Sequence, residues 1–192
     1  HAGTIGGNVG TCSPAGDGLP VLGALDAVVH LASIRGTRDV PFAEFATGPK
    51  RTVRQPDELI TGVTVPVLDG YQGYAKVGVR NAMVIATASA CLAVDRPGRT
   101  VRIALGSVGP VILRAPDAEA AISGSDVWDT GSVSDEQVAA FGAAIAAAAR
   151  TAGHDPDTAW LDAAAAVGLI EQRPGSFGFR HPLVAAAVLT AS

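Results

Sequence analysis

The stretch HAGTIGGNVGTCSPAGD, residues 1–17, places five glycines in seventeen positions, and what that backbone is for decides how the chain is read. Gly3, Gly6, Gly7 and Gly10 punctuate a run otherwise made of Thr4, Ile5, Asn8, Val9 and Thr11. The spacing predicts a glycine-rich turn in which positive φ and the missing Cβ let another group come close. Peptide N–H groups in such a turn bind oxyanions without a lysine, and the Thr4 hydroxyl and Asn8 amide add donors. A phosphate suits this chemistry; a purely structural turn is the other reading that glycine clusters allow.

Composition narrows the remaining classes. The 192 residues are 48% hydrophobic with mean hydropathy +0.31, enough to bury a core in one large or two small domains. Net charge is -4, and the only basic cluster is Lys50, Arg51 and Arg54 in PKRTVR, which argues against nucleic acid as a ligand. The apolar tract from Phe141 to Ala149 is too short and too alanine-rich to span a bilayer, so a soluble cytoplasmic protein is the expectation. Cys12 and Cys91 are the only cysteines and form no CxxC, leaving no disulfide framework, zinc site or iron–sulfur ligand set. His1, His30, His154 and His181 are scattered without metal-ligand spacing. Ser13 lacks a GxSxG elbow, so acyl transfer is not expected.

Along the chain, Leu19 to Ser33 reads as a short apolar helix passing into a strand, with a turn at IRGTR and a return strand at Arg38 to Pro41. Leu59 to Val65 alternates as a strand after the turn Gln55-Pro56-Asp57, and VPVLDG marks a boundary near residue 68. Beyond it, Tyr74 to Val79 alternates, Met83 to Asp95 is small and apolar throughout, and RPGR turns the chain into a strand with Val101, Ile103 and Leu105 on one face. Pro116 opens a helix that Gly124 stops, and Ser134 with Gln137 forms a capping box for another. An antiparallel sheet with helices on one face is predicted for this part.

Four ordered blocks, TIGGNVGTCSPAGD, VPFAEFATGPKRTVRQPDELITGVTVP, GYAKVGVRNAMVIATASACLAVD and VRIALGSVGPVILRAPDAEAAISG, resemble the FAD-bearing medium subunit of the molybdenum hydroxylases, the carbon monoxide and xanthine dehydrogenase family. The resemblance covers residues 2–150. It implies an α+β chain: the second half of a PCMH-type FAD-binding domain over residues 1–68, then a carbon monoxide dehydrogenase flavoprotein C-terminal-like domain over 69–150, with an atypical tail at 151–192.

The resemblance implies roles for particular residues. Thr4, Ile5, Gly6, Gly7 and Asn8 of the TIGGN block would wrap the FAD pyrophosphate. Asp17 would touch the adenosine side, where a carboxylate can accept from ribose hydroxyls; its alternative is the N-cap of the following helix. Ile60 and Lys76 would line the flavin, Lys76 as a cation near the pyrimidine end, or else as a plain exposed strand residue. The implied function is electron relay: a large subunit carries the molybdenum cofactor, a small subunit carries 2Fe-2S clusters, and FAD on the medium subunit passes electrons to NAD, oxygen or a quinone. A module that packs on those partners without holding FAD is the alternative.

Two departures accompany the resemblance. The family carries a further glycine-rich half-domain upstream of TIGGN, so the start at His1 reads as an N-terminal truncation, and the chain as given is expected to bind FAD weakly or not at all. At the other end, VGLIEQ and FRHPLV resemble part of the ATPase region of large LuxR-type regulators, and the tail reads as two helices, over 157–167 and from Pro182 onward.

Overall fold

The computed structural model describes residues 3–78, 85–152, 171–173 and 176–178. The first part opens with two short helices, α1 (Ile5–Thr11) and α2 (Gly18–Ala24). They lead into strands β1 (Val28–Ser33) and β2 (Gly36–Pro41), the one-turn helix α3 (Phe42–Phe45), the small hairpin of β3 (Ala46–Gly48) and β4 (Arg51–Thr52), and strand β5 (Leu59–Thr64). β1 is the middle of an antiparallel sheet of order β2-β1-β5. Val29 and Leu31, two residues apart on β1, point into a core shared with Val9, Leu19, Phe42 and Phe45, as the period of two in a strand requires.

The second part is a four-stranded antiparallel meander, β6 (Gln72–Val77), β7 (Ala88–Asp95), β8 (Thr100–Gly106) and β9 (Leu113–Arg114). Helices α4 (Pro116–Ser123), α5 (Val127–Thr130) and α6 (Asp135–Thr151) follow. Pro116 sits in the first turn of α4 and Gly124 at its C-cap. Ser134 and Gln137 close the capping box on α6, each side chain bonded to the other's backbone N–H at 3.2 and 2.8 Å. A two-stranded hairpin, β10 (Glu171–Arg173) and β11 (Ser176–Gly178), lies alongside α6. The tail helices expected over 157–167 and from Pro182 lie outside the described residues, as do His1, His154, His181, Arg80, Met83 and Trp160.

The meander differs from its prediction in one respect that matters: both of its faces are covered. Leu92, Val94, Val101, Ile103 and Leu105 face the helices and pack on Ala118, Ile122, Phe141 and Ile145. Trp128 packs against the same core, its Nε1–H donating to the Ser123 carbonyl at 3.0 Å. On the opposite face, Cys91, Ala93 and Ala104 meet Ala24 and Leu25 at the end of α2. This explains why β7 reads as a continuous run of small apolar residues rather than an alternation, since a strand buried on both sides has no solvent face. The small side chains on the α2 face admit close approach: a Cβ on Gly23 would lie 3.3 Å from Ala104 Cβ and 2.9 Å from Ile112 Cγ2.

Two cores, one built from residues between Val9 and Val63 and one from residues between Ala88 and Ile145, are thus joined where α2 meets the meander. Charged groups reinforce the seam. Arg114, on β9, donates to the Gly23 carbonyl at 3.0 Å and to Asp26, while its other nitrogens hold Glu119 at 2.6 and 2.7 Å. Arg102 reaches Asp26 at 3.1 Å.

At the far end of the seam, the Ser107 N–H donates to the Pro14 carbonyl at 3.0 Å. A Cβ on the neighbouring Gly106 would come within 2.5 Å of Ser89 Oγ, 2.7 Å of the Pro20 ring and 3.3 Å of the Pro14 carbonyl oxygen. Gly106→Ala is accordingly expected to cost about 1–3 kcal/mol through overpacking. Urea denaturation should show this as a lower midpoint at unchanged slope, and an unshifted midpoint would mean that the seam has room to give.

Candidate cofactor site

The glycine stretch forms a helix rather than a turn. Among the described glycines, only Gly36 and Gly131 have positive φ, so the glycines of residues 3–10 are not there for left-handed backbone. Three of the seven residues of α1 are glycine, each about 1 kcal/mol poorer than alanine in a helix. Local anchors hold α1 instead. The Thr4 hydroxyl accepts from the Gly7 N–H at 2.9 Å as N-cap, Val9 is fully buried, and Cys12 closes the helix in a left-handed conformation with its N–H on the Asn8 carbonyl. The Cys12 carbonyl in turn accepts from the Lys50 N–H at 3.0 Å, tying the β3–β4 hairpin to the helix end.

What the glycines provide is an open surface. Thr4, Ile5, Gly6 and Gly7 are all exposed, and a Cβ added at Gly6 would meet nothing within 4 Å. The first N–H groups of a helix have no acceptor within it, and the helix start carries partial positive charge. The surface around Gly6 is thus a bare backbone cradle with donors for an anionic group, the fit a diphosphate requires. Gly7 differs: its N–H is already engaged by Thr4, and a Cβ there would lie 3.0 Å from Thr4 Oγ1.

Asn8 is turned inward. Its Oδ1 accepts from the Gly18 N–H at 3.2 Å and so caps α2 from outside that helix. Asp17 stands at the cap position of α2 but makes no capping bond with its side chain, so its N-cap reading fails. Its carboxylate crosses the seam. The Tyr74 hydroxyl donates to Oδ1 at 2.8 Å and the Lys76 ammonium to Oδ2 at 2.5 Å. Tyr74 and Lys76 are two residues apart on β6 and share the face turned toward α2. Lys76 is not a plain exposed strand residue: its side chain is 29% accessible and held by Asp17.

The structure thereby joins two residues that the sequence reading set at different ends of FAD. With Asp17 and Lys76 2.5 Å apart, a ligand touching both meets them at one place. Ile60, half-buried on β5, stands beside the other end of α1: a Cβ on Gly10 would be 3.8 Å from its Cδ1. Sequence reasoning missed Tyr74. The available signal was its i, i+2 spacing from Lys76 on one strand, which puts both on one face.

Glu58 was also missed, lying between the expected turn at Gln55-Pro56-Asp57 and the strand from Leu59. It is 5% exposed, receives Arg38 at 2.7 and 3.0 Å on its two oxygens, and accepts from the Gln55 N–H at 2.7 Å. These bonds, Arg38 first and the Gln55 N–H second, hold its carboxyl down at about 2, below the ordinary 4.5. The pair fastens the loop that enters β5 and so fixes Ile60. Because the folded value is depressed, this stabilisation is complete above the unfolded value and is lost as pH falls through the folded one. Thermal melts of wild type and Glu58→Gln should therefore differ most above about pH 5 and converge toward pH 2, with wild type the more stable. A gap that does not change with pH would remove the carboxylate from the account.

Other polar clusters have local uses. His30 on β1 bonds its cross-strand neighbour Asp39 and the β5 residue Thr64, each at 2.7 Å. Among the described residues, no three His, Cys, Asp or Glu side chains gather to hold a metal ion. Cys12 and Cys91 are both buried, and burial pushes both thiols up, Cys91 to about 11.

An open helix start over a small core, with Asp17 of the same part held across the seam by Tyr74 and Lys76 of the meander, gives an α+β chain donors and acceptors suited to an anionic cofactor. Residues 1–68 match the family described as the FAD binding domain in molybdopterin dehydrogenase. The chain is 38% identical over 132 residues to the glyceraldehyde dehydrogenase medium chain of Sulfolobus acidocaldarius, covering 67% of this chain and 47% of that one. It is 30% identical over 129 residues to the carbon monoxide dehydrogenase medium chain of Afipia carboxidovorans, covering 65% and 45%. The solved carbon monoxide dehydrogenase from Hydrogenophaga pseudoflava superposes with TM-score 0.65 at 28% identity, over 85% of this chain and 61% of that one. Over the matched lengths the chain is similar to the medium chains of these dehydrogenases. It spans about half the length of the curated relatives it matches.

Proposed function

We propose that this chain supplies part of an FAD site in a cytoplasmic molybdenum hydroxylase, as an oxidoreductase flavoprotein subunit. Residues 1–68 form the lobe that grips the cofactor, 69–150 the lobe that closes against it, and 151–192 an atypical tail. The observation that carries this reading is the exposed start of α1, where Gly6 leaves the backbone uncovered, together with the Asp17 carboxylate that Lys76 meets from β6.

In this reading Ile5 and Gly6 present backbone donors to the diphosphate, Gly7 keeps the surface beside them free of a side chain while its N–H holds the Thr4 cap that sets the helix start, and Asn8 keeps α2 and Asp17 in place. Asp17 accepts from ribose hydroxyls through lone pairs that Tyr74 and Lys76 leave free. Lys76 shares that end of the cofactor, and reaching the pyrimidine edge of the flavin requires it to leave Asp17. Ile60 gives the cofactor an apolar wall. FAD, when bound, accepts and releases electrons one or two at a time, which suits it to link one-electron clusters to a two-electron acceptor. The partners are a small subunit with 2Fe-2S clusters and a large subunit with the molybdenum cofactor, with NAD, oxygen or a quinone as final acceptor.

The test is flavin content of the protein purified with its partner subunits, followed by the absorbance of that flavin on adding reducing substrate. Bound FAD that bleaches supports the relay. Stoichiometric assembly without flavin would favour a packing module, and flavin that stays oxidised while the clusters reduce would overturn the relay.

A further inference from the structure

We propose that Tyr74 is a positioning residue for the cofactor: its hydroxyl fixes the Asp17 carboxylate in the orientation that receives a ribose diol. The inference rests on the reading that Asp17 meets the ribose, and adds how that carboxylate is aimed. Asp17 lies on the short link between α1 and α2, makes no capping bond, and has a side chain 50% accessible, so its own helix does not orient it. Lys76 supplies charge but, as a point cation on a flexible stem, does not set the plane of the carboxylate.

Tyr74 can set that plane. A phenol has only two side-chain torsions, and its hydroxyl is held from both sides: it donates to Asp17 Oδ1 at 2.8 Å and is bonded by Ser89, which is 6% exposed. Ser89 pairs with Lys76 across β6 and β7 and with Gly106 on β8, in the part of the seam where no Cβ fits. The strand framework thus fixes Ser89, Ser89 helps fix the phenol, and the phenol fixes one carboxylate oxygen. A carboxylate has about four lone-pair positions, and the two bonds from Tyr74 and Lys76 leave two for vicinal hydroxyls. Burial, and then the hydrogen bond to Asp17, push the Tyr74 phenol well above its ordinary range, so it remains a proton donor to the carboxylate at neutral pH.

The experiment measures dissociation constants of FAD, ADP and FMN for the flavin-stripped holoprotein and for Tyr74→Phe, Asp17→Asn and the double variant. Tyr74→Phe is expected to weaken ADP and FAD by the same factor, about tenfold, and to leave FMN unchanged. Because Tyr74 acts through Asp17, the double variant should bind ADP no worse than Asp17→Asn alone. Tyr71→Phe, in the opposite core, should match wild type. Normal ADP affinity in Tyr74→Phe alongside weakened affinity in Asp17→Asn overturns the inference and leaves the ribose reading standing. Equal losses for ADP and FMN, or additive losses in the double variant, show a structural effect and overturn it as well. Normal ADP affinity in Asp17→Asn overturns the ribose reading, and the inference with it.

Discussion

Gly6→Val should lose FAD while keeping its fold. A Cβ at Gly6 meets no protein atom within 4 Å, and the residue lies in helical backbone, so the substitution is not strained. Replacing glycine inside a helix is, if anything, favourable by a few tenths of a kcal/mol. The branched side chain would nevertheless stand on the bare backbone where the diphosphate is proposed to bind, holding the anion off the first N–H groups. Losing two charge-assisted bonds there corresponds to about 3 kcal/mol or more, a weakening of roughly a hundredfold. The melting temperature of the apo protein should be unchanged. Gly7→Val provides the contrast: its Cβ would crowd Thr4 Oγ1 at 3.0 Å, so it should cost about 0.5–2 kcal/mol of stability through the lost cap as well as weaken FAD. Wild-type FAD affinity in Gly6→Val would move the diphosphate away from α1.

This contrast also shows what could be read from the sequence. The open backbone of residues 3–7 was legible, because glycines lack a Cβ whichever local conformation they adopt. The conformation was not legible. Glycine disfavours helices, and what overrides that here is the burial of Val9 and the Thr4 cap, a tertiary term that no propensity carries. Strands β1, β5 and β8 and helices α2, α4 and α6 followed from period, propensity and caps, and β7 from its apolar run. Single-sided burial of the meander did not survive, because a sequence records that β7 is apolar throughout without recording which element covers its second face.

The site residues follow the same division. Asp17 and Lys76 are 59 positions apart, and their contact exists only because α2 docks on the sheet that carries β6. Nothing local in either segment predicts it. Glu58 illustrates the converse: its surroundings, Gln-Pro-Asp, do form the expected turn, but its partner Arg38 comes from β2, twenty residues back. In each case the element was readable and the side-chain partner was supplied by packing between elements. Thr4 is the exception, since a cap and its target lie three residues apart and can be read from the string.

The second large effect is expected at the seam itself, from Arg114→Met. The guanidinium bonds both oxygens of Glu119, the Gly23 carbonyl at the end of α2, and Asp26 just beyond it. Methionine keeps much of the stem's packing and removes every one of these bonds. Glu119, only 14% accessible, keeps just the Ile103 N–H at 3.0 Å for its charge, and Asp26 keeps Arg102. A largely buried charge deprived of its partner is the costly case, about 3–5 kcal/mol for a fully buried pair. Exposure of Asp26 at 53% discounts the outer contact, so a loss of about 2–4 kcal/mol is expected. Arg114→Lys should recover little, because an ammonium cannot match the two parallel bonds to Glu119. Since Asp17 meets Tyr74 and Lys76 across this same seam, the loss should also reach the cofactor: FAD affinity should fall in Arg114→Met although Arg114 is outside the site. Glu119→Gln separates the two effects. It removes the charge that Arg114 neutralises within the second part while leaving the bonds to Gly23 and Asp26, so it should lower stability with little change in FAD affinity. Equal changes in FAD affinity for Glu119→Gln and Arg114→Met would mean that the cofactor senses the stability of the meander alone, and not the docking of α2 upon it.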